Sequence, residues 1–347
     1  MKTALILSGG GSRGAYEIGV CKALKELKID VDMVFGTSVG AITGALVAQD
    51  SIEEAERLWL ELTADKVFDI EGELFSRGSG DNRFQDALDD IQDRITRSIK
   101  KKSIAGMPAE DAIGYLREML SEGGAGTTGL RELLEEYIDE DRIRNSPIEF
   151  GLVTTEYPVM KGVYMSEDDI PEGQLRDYIL ASASCFPAAK VCEIGDRKYI
   201  DGGYTDNMPL IMALNRDAGN IIAVNLDAVG TIHKEHLRKA EKHAMEKGGY
   251  FRYIKSYADL GNFLSFGRER AVRLIEQGRI DCLKAFHVYD GNRYAFEKGA
   301  FTAEEIKSAD RLAGTLEIDT CRVYDRETYL QEILRAYSQR RSLARLI

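Results

Sequence analysis

The apolar positions of the first fifty residues fall into short runs separated by glycine-rich turns and amphipathic segments. Residues 4–7 and 31–35 are brief apolar runs followed by small residues and glycine, a pattern typical of buried strands. Residues 15–27 and 41–48 carry apolar side chains at helical spacing, and each segment follows a glycine turn. Two strand–turn–helix units in so short a stretch predict a parallel sheet covered by helices.

The pattern then becomes helical over residues 52–141, in segments joined by glycine-rich connectors. We interpret this region, at about 52–145, as a helical insertion. Strand patterns resume at 148–154, 161–165, 198–200 and 220–226, and charged helical segments with one strand at 285–289 follow. The prediction is an α/β protein: a three-layer α/β/α sandwich with a mostly parallel central sheet, the helical insertion and a C-terminal α-rich appendage. Residues 1–229 would form the main domain and residues 230–347 the appendage.

Charge and composition narrow the classes of partner and compartment. The formal net charge of −12 disfavours a nucleic-acid partner, because phosphate binding needs a basic face. No apolar run reaches the roughly 18 residues of a membrane span, and the N-terminal run is too short for a secretory signal. The cysteines are odd in number and form no C-x-x-C pair: Cys21, Cys185, Cys192, Cys282 and Cys321. We therefore expect reduced thiols, no zinc site and a cytoplasmic protein, at most peripheral at the inner membrane surface.

The first chemical motif is the turn Gly9-Gly10-Gly11-Ser12-Arg13-Gly14, between a predicted strand and helix. It fits G-x-G-x-x-G, which by itself is a weak indication of dinucleotide binding. The motif predicts a turn of small residues that exposes backbone N–H groups at a helix N-terminus. Such a turn suits a pyrophosphate or a transient oxyanion alike.

The second motif, Gly36-Thr37-Ser38-Val39-Gly40, follows the second strand and opens the second helix. G-x-S-x-G in that context is typical of a nucleophile elbow, in which Gly36 and Gly40 permit a sharp turn and Ser38 projects its hydroxyl. The Val39 N–H would point to the same spot. A dinucleotide-binding unit would instead carry an acidic residue at the end of this strand, where the sequence has Phe35 and Gly36.

The third motif, Asp201-Gly202-Gly203, follows a predicted strand. A serine hydroxyl needs a base, and the usual base is histidine. Of the four histidines, His233, His236 and His243 lie in a Lys- and Glu-rich segment, and His287 lies in the strand predicted at 285–289. We therefore expect Asp201 to act as the direct base, since burial can raise the pKa of a carboxyl group towards neutrality.

These three motifs, in this order, resemble those of the patatin-like phospholipases. The segments 181–187 and 206–209 are similar to two accompanying segments of that family, so the resemblance covers about residues 3–227. Residues 230–347 resemble, more weakly, the additional C-terminal region of certain bacterial members.

The resemblance implies an α/β/α fold with a Ser–Asp dyad, in which Ser38 is the nucleophile and Asp201 the base. Residues 9–14 would form the oxyanion loop, with N–H donors at Gly10 and Gly11 and with Arg13 holding the loop. The substrates would be phospholipids or other acyl esters, cleaved without a metal or cofactor.

Alternatives remain open. A carboxylesterase or thioesterase acting on soluble acyl compounds would use the same dyad. A nicotinamide-dependent oxidoreductase and a lipid-binding module without catalysis fit the motifs less well. Two basic clusters could contact an anionic bilayer, although a solvated surface is the more ordinary explanation for each: Arg94, Arg97, Lys100, Lys101 and Lys102, and then Arg335, Arg340, Arg341 and Arg345.

Overall fold

The computed structural model describes residues 1–67, 127–185 and 189–343. The strands of its central sheet are, in chain order, β1 Thr3–Leu7, β2 Met33–Thr37, β3 Glu149–Tyr157, β4 Lys161–Ser166, β5 Cys192–Ile194, β6 Arg197–Asp201, β7 Asn220–Asn225 and β8 Phe251–Lys255. They are arranged in the order β5-β6-β3-β2-β1-β7-β8, and β4 also pairs with β3. The central pairs are parallel, whereas β4, β5 and β6 run antiparallel to their neighbours.

Helices precede, follow and cover these strands. They are α1 Ala15–Glu26, α2 Val39–Ala48, α3 Ile52–Glu61, α4 Ala64–Val67, α5 Thr128–Tyr137, α6 Glu140–Arg144, α7 Leu175–Ser182, α8 Leu210–Asn215, α9 Lys234–Glu246, α10 Arg268–Ala285, α11 Ala303–Leu316 and α12 Arg326–Leu343. Three short strands, β9 Tyr289–Asp290, β10 Ala295–Glu297 and β11 Val323–Tyr324, form a second small sheet.

Alternate side chains of each central strand enter two separate cores. On β1, Leu5 and Leu7 pack into the core shared with α1, α2, α3 and α10, whereas Ala4 and Ile6 face α8 and α9. This alternation follows from the two-residue period of a strand, and both faces are apolar because helices cover both. The predicted fold class, a mostly parallel sheet between two helical layers with further helices at the C-terminus, is confirmed.

Strand β3 brings two distant parts of the chain together along one edge. Thr37, the last residue of β2, lies opposite Val153, and Asp201, the last residue of β6, lies opposite Thr154. Both Val153 and Thr154 pair with β4 as well. Because a strand has only two edges, β2 and β6 must share the edge that β4 leaves free. The ends of these two strands therefore meet at consecutive residues of β3.

The region beyond residue 230 takes part in the main body. Strand β8 adds to β7, and α10 crosses α1 closely at two glycines. A Cβ atom at Gly19 would collide with the Ile275 carbonyl, and one at Gly278 with the Tyr16 carbonyl. The small sheet and the helices α11 and α12 have a core of their own. The division of the chain at 229/230 into two domains stays a prediction.

The strand predicted at 285–289 is wrong over 285–288, and only Tyr289 lies in a strand, as the first residue of β9. Helix α10 continues to Ala285, the Phe286 N–H still bonds to the Cys282 carbonyl at 3.1 Å, and His287 turns the chain with a φ of 60°. The Phe286 ring packs edge-on against Tyr250, so a contact distant in sequence fixes this segment. Helices α3 and α5 lie within the segment 52–141 that is predicted to be helical, while the centre of the predicted insertion lies outside the described residues.

Within the described ranges, no helix combines the length with the low charge that a bilayer-spanning segment requires.

A buried carboxyl group on α1 makes stability depend on pH. Glu17 is fully buried, and neither of its carboxyl oxygens has a hydrogen-bond partner among the described residues. Burial raises its pKa well above the ordinary value, so the folded protein holds this proton more tightly than the unfolded chain does. The associated stability is therefore complete below the ordinary pKa of the glutamate and decreases as the pH rises.

We predict that Glu17→Gln raises the free energy of unfolding relative to the wild type at pH 8. Ionisation of Glu17 in the unfolded chain favours unfolding of the wild type at this pH, and glutamine does not ionise in either state. The difference should shrink towards pH 5. Urea unfolding at several pH values measures it, with Glu136→Gln on the exposed side of α5 as the control. A difference between the Glu17 variant and the wild type that does not change with pH would contradict the assignment.

Candidate active site

Ser38 occupies a sharp turn between β2 and α2. Its φ is 57° and its ψ −126°, a conformation that a residue with a side chain adopts rarely and at a cost of about 1–3 kcal/mol. The flanking glycines make the turn sterically feasible. A Cβ atom at Gly36 would collide with the Gly40 carbonyl, and one at Gly40 with the Leu7 carbonyl. A strained serine between strand and helix is the geometry of a nucleophile elbow.

A second serine, Ser182, holds this turn in place through hydrogen bonds. The Ser38 N–H donates to the Ser182 hydroxyl at 2.9 Å, and that hydroxyl donates to the Val153 carbonyl at 2.6 Å. Ser182 thereby links the turn to β3, the strand that positions both β2 and β6. In the sequence, the segment around Ser182 stands out only because it resembles a segment of the family. The residues next to Ser182 give no indication that its hydroxyl binds the Ser38 N–H.

Asp201 lies at the end of β6 and faces Ser38. It lines the same cavity as Ser38, whose hydroxyl is close enough to lower the pKa of the carboxyl group, and it accepts the Gly203 N–H at 2.7 Å. Asp201 is only 5% exposed, and this burial raises its pKa to about 6, against the lowering effects of the Ser38 hydroxyl and the Gly203 N–H. Gly202 is required at the turn, because a Cβ atom there would collide with the Val153 carbonyl.

Asn207 holds the first glycine of the loop through both of its polar atoms. Its Oδ1 accepts the Gly9 N–H at 3.2 Å, and its Nδ2 donates to the Gly9 carbonyl at 3.2 Å. The Gly9 amide is therefore already engaged within the protein. Asn207 also lies directly against Gly203, where an added Cβ atom would meet its Oδ1 at 2.8 Å. This one side chain thus connects the glycine loop with the turn that follows Asp201.

Three backbone amides beside Ser38 remain without partners. The N–H groups of Gly10, Gly11 and Val39 make no hydrogen bond to any described residue, and all three residues line the cavity that contains Ser38. Gly11 has a φ of 56°, which glycine adopts without strain. Gly14, at the start of α1, lies against Val39 and Trp59 and leaves no room for a side chain.

Arg13 points away from Ser38 and binds backbone carbonyls. Its guanidinium donates to the carbonyls of Leu226 at 3.0 Å, Asp227 at 2.7 Å and Gly261 at 2.9 Å. It thus ties the glycine loop to the end of β7 and to the segment before α10.

Ser38 and Asp201 open into a cavity with a predominantly apolar wall. Its empty volume, including the mouth, is about 1100 Å³. The polar groups gather at the Ser38 end. The rest of the wall is formed largely by aliphatic and aromatic side chains, including Ile42, Leu58, Trp59, Leu62, Leu130, Leu134, Ile138, Phe263, Leu264 and Phe266. Such a wall suits a hydrocarbon chain better than a polar ligand.

Other residues singled out in the sequence lie elsewhere. All four histidines are described, and none lines this cavity; His233, for example, contacts the Thr205 carbonyl at 2.9 Å. In the C-terminal basic cluster, Arg335 pairs with Glu332 and Arg340 with Glu317. The cluster at 94–102 and Arg345 lie outside the described residues.

The dinucleotide alternative lacks its acidic residue. Asp32 precedes the first residue of β2, at the opposite end of the strand from the glycine loop, and its Oδ2 accepts the Thr3 N–H at 2.7 Å. The end of β2 therefore supplies no acidic residue of its own to hold a ribose, and Ser38 follows the strand instead.

Comparison with known proteins finds the same family that the sequence motifs resemble. The sequence model of the patatin-like phospholipases matches residues 5–214. Lysophospholipase nte1 from Aspergillus terreus is 37% identical over 101 residues, which cover 24% of this chain and 7% of that protein. Human patatin-like phospholipase domain-containing protein 6 is 55% identical over 47 residues, which cover 14% of this chain and 3% of that protein.

Among solved structures, VipD from Legionella pneumophila aligns with a TM-score of 0.44 at 18% identity, covering 99% of this chain and 75% of that chain. The aligned part of this chain spans less than a tenth of the length of the two curated relatives. The family match extends over more than half of the sequence and includes Ser38, Asp201 and the glycine loop. This chain therefore belongs to the patatin-like phospholipase family.

Proposed function

We propose that this chain is a lipid acyl hydrolase, of the phospholipase A or lysophospholipase type, that cleaves carboxylic esters through an acyl-Ser38 intermediate with Asp201 as the base. The observation that carries the proposal is that Ser38 and the buried Asp201 line one cavity together with three unpartnered amides. Family membership supports an ester hydrolase acting on lipids, and the geometry supports the assignment of roles.

Asp201 has the properties that a direct base requires. A carboxylate with an ordinary pKa is too weakly basic to take a serine proton efficiently, whereas one with a pKa near the working pH is suited to the task. Burial raises the pKa of Asp201 to about 6, so the group is largely ionised at neutral pH and still basic. The Gly203 N–H orients it towards Ser38.

The reaction then proceeds in two stages. Ser38 transfers its proton to Asp201 and attacks the ester carbonyl, and the N–H groups of Gly10, Gly11 and Val39 stabilise the oxyanion. Asp201 returns the proton to the leaving alcohol or lysophospholipid. Water, activated by Asp201, attacks the acyl-enzyme and releases the fatty acid while Ser38 recovers its proton.

The cavity favours a lipid over a small soluble ester. Its wall beyond the polar end is aliphatic and aromatic, and burying each methylene of an acyl chain contributes about 0.8 kcal/mol. A carboxylesterase or thioesterase on soluble acyl compounds would share the dyad but gain little from this wall. Rates on nitrophenyl esters of increasing chain length, followed by phospholipid, distinguish the two. Peripheral membrane contact and a cytoplasmic location stay predictions.

We predict that Ser38→Ala abolishes covalent labelling by a fluorophosphonate and lowers ester hydrolysis by a factor on the order of 10⁶. Cys185 also lines the cavity, but burial raises the pKa of its thiol well above the ordinary value, so it stays protonated and weakly nucleophilic. Ser146→Ala, a serine outside the cavity, serves as the matched control and should label like the wild type. Thermal unfolding verifies that both variants fold. Undiminished labelling of the Ser38 variant would refute the assignment.

We further predict that kcat/KM rises with pH to a plateau, with a midpoint near pH 6, because protonated Asp201 cannot accept the serine proton. Replacing all four histidines by glutamine should preserve both the midpoint and substantial activity, whereas Asp201→Asn should remove activity. Initial rates from pH 4.5 to 9 measure this. If kcat/KM of the folded histidine-free variant no longer rose with pH, the result would indicate a histidine base instead.

A further inference from the structure

A segment between β8 and α10 packs against the glycine loop although it lies far beyond the family match. We name residues 259–266 the strap. The family match ends at residue 214, so the strap is not part of the region that the family comparison covers. Its side chains Leu260, Phe263 and Leu264 are buried.

The strap receives hydrogen bonds from consecutive residues of the glycine loop. Ser12 donates its N–H to the Phe263 carbonyl at 2.7 Å and its hydroxyl to the Asn262 carbonyl at 3.2 Å. Arg13 Nε donates to the Gly261 carbonyl at 2.9 Å. Three consecutive carbonyl oxygens of the strap are therefore occupied by donors of two adjacent loop residues, which makes the two segments one hydrogen-bonded unit.

The strap also contacts the part of the loop that would bind the oxyanion. The space beside Gly11 is filled by Phe263, whose carbonyl and ring a Cβ atom at Gly11 would strike. The Ser12 N–H is directed to the strap, whereas the N–H groups of Gly10 and Gly11 make no hydrogen bond to the described residues. A displacement of the strap would therefore displace these two amides.

Arg270, near the start of α10, binds the strap through a backbone carbonyl. Its Nη2 donates to the Leu260 carbonyl, the strap carbonyl immediately before the three that the loop holds. Its guanidinium also lies against Gly261, which has a φ of 72°. Arg270 does not line the cavity of Ser38, although Phe263, Leu264 and Phe266 of the strap do.

We propose that the strap sets the position of the oxyanion loop and that Arg270 is a positioning residue for the reaction, acting through the strap. The inference rests on the proposed function, because it assigns a task to the amides of Gly10 and Gly11. It makes the C-terminal part of the chain a component of the active site, and it explains why Arg13 and Arg270, two like charges, are held on neighbouring carbonyls of one short segment.

The test compares Arg270→Ala with Arg270→Lys and with Arg268→Ala, a matched control on the same turn with an exposed side chain. Rates are expressed per active site, titrated with a fluorophosphonate, so that a folding defect is not counted as a catalytic one. The expected result is a fall in kcat of about 10- to 100-fold for Arg270→Ala with little change in KM, because misplaced oxyanion donors weaken the transition state more than substrate binding. Arg270→Lys should recover part of the loss, and Arg268→Ala should match the wild type.

An alkyl trifluoromethyl ketone supplies the second readout, since Ser38 adds to it and creates an oxyanion. Its inhibition constant should weaken in proportion to the loss of kcat/KM in Arg270→Ala, whereas the affinity for the fatty-acid product should not. Unchanged kcat per titrated site and unchanged ketone inhibition in the Arg270 variants would overturn the inference, whether or not their melting temperature falls. Activity that survives Ser38→Ala would instead overturn the proposed function itself.

Discussion

The constraint on which the site depends is that β2 and β6 share one edge of β3. The two strands run in opposite directions, and their last residues lie opposite neighbouring positions of β3, Val153 and Thr154. Ser38 follows the end of β2, so its hydroxyl meets the carboxylate at the end of β6 without any loop having to place either group. The separation of more than 160 positions in the sequence is bridged by regular strand pairing, which is rigid.

The surrounding polar contacts refine this arrangement. Ser182 connects the strained turn at Ser38 to the same strand β3, and Asn207 connects the glycine loop to the turn after Asp201. Each is a buried group with its hydrogen bonds satisfied, and each joins two segments that the backbone alone would leave independent. Burial of Asp201 at the strand end gives the carboxylate a pKa suited to a base. The end of β6 thus determines both where the Asp201 carboxylate lies and how basic it is.

The sequence predicts the parts of this site whose signals are local. The elbow glycines, the glycine loop and the Asp-Gly-Gly turn are visible because each imposes a backbone geometry that only certain residues allow, and the strands before them are short apolar runs. The strap could not be predicted, since its contacts to Ser12 and Arg13 join residues about 250 positions apart through backbone carbonyls, which carry no sequence signature. Asn207 and Ser182 could be noticed only as members of similar segments. The strand wrongly predicted over 285–288 illustrates the same limit, because the apolar run there ends a helix that packs on α1.

The most direct test of the central claim is a crystal structure of the protein after reaction with an alkyl fluorophosphonate. The account predicts a phosphorus atom bonded to Ser38 Oγ, with its phosphoryl oxygen accepting hydrogen bonds from the Gly10 and Gly11 amides and the Asp201 carboxylate adjacent to Ser38 Oγ. A phosphonate attached to another side chain, or a phosphoryl oxygen directed away from the glycine loop, would contradict it.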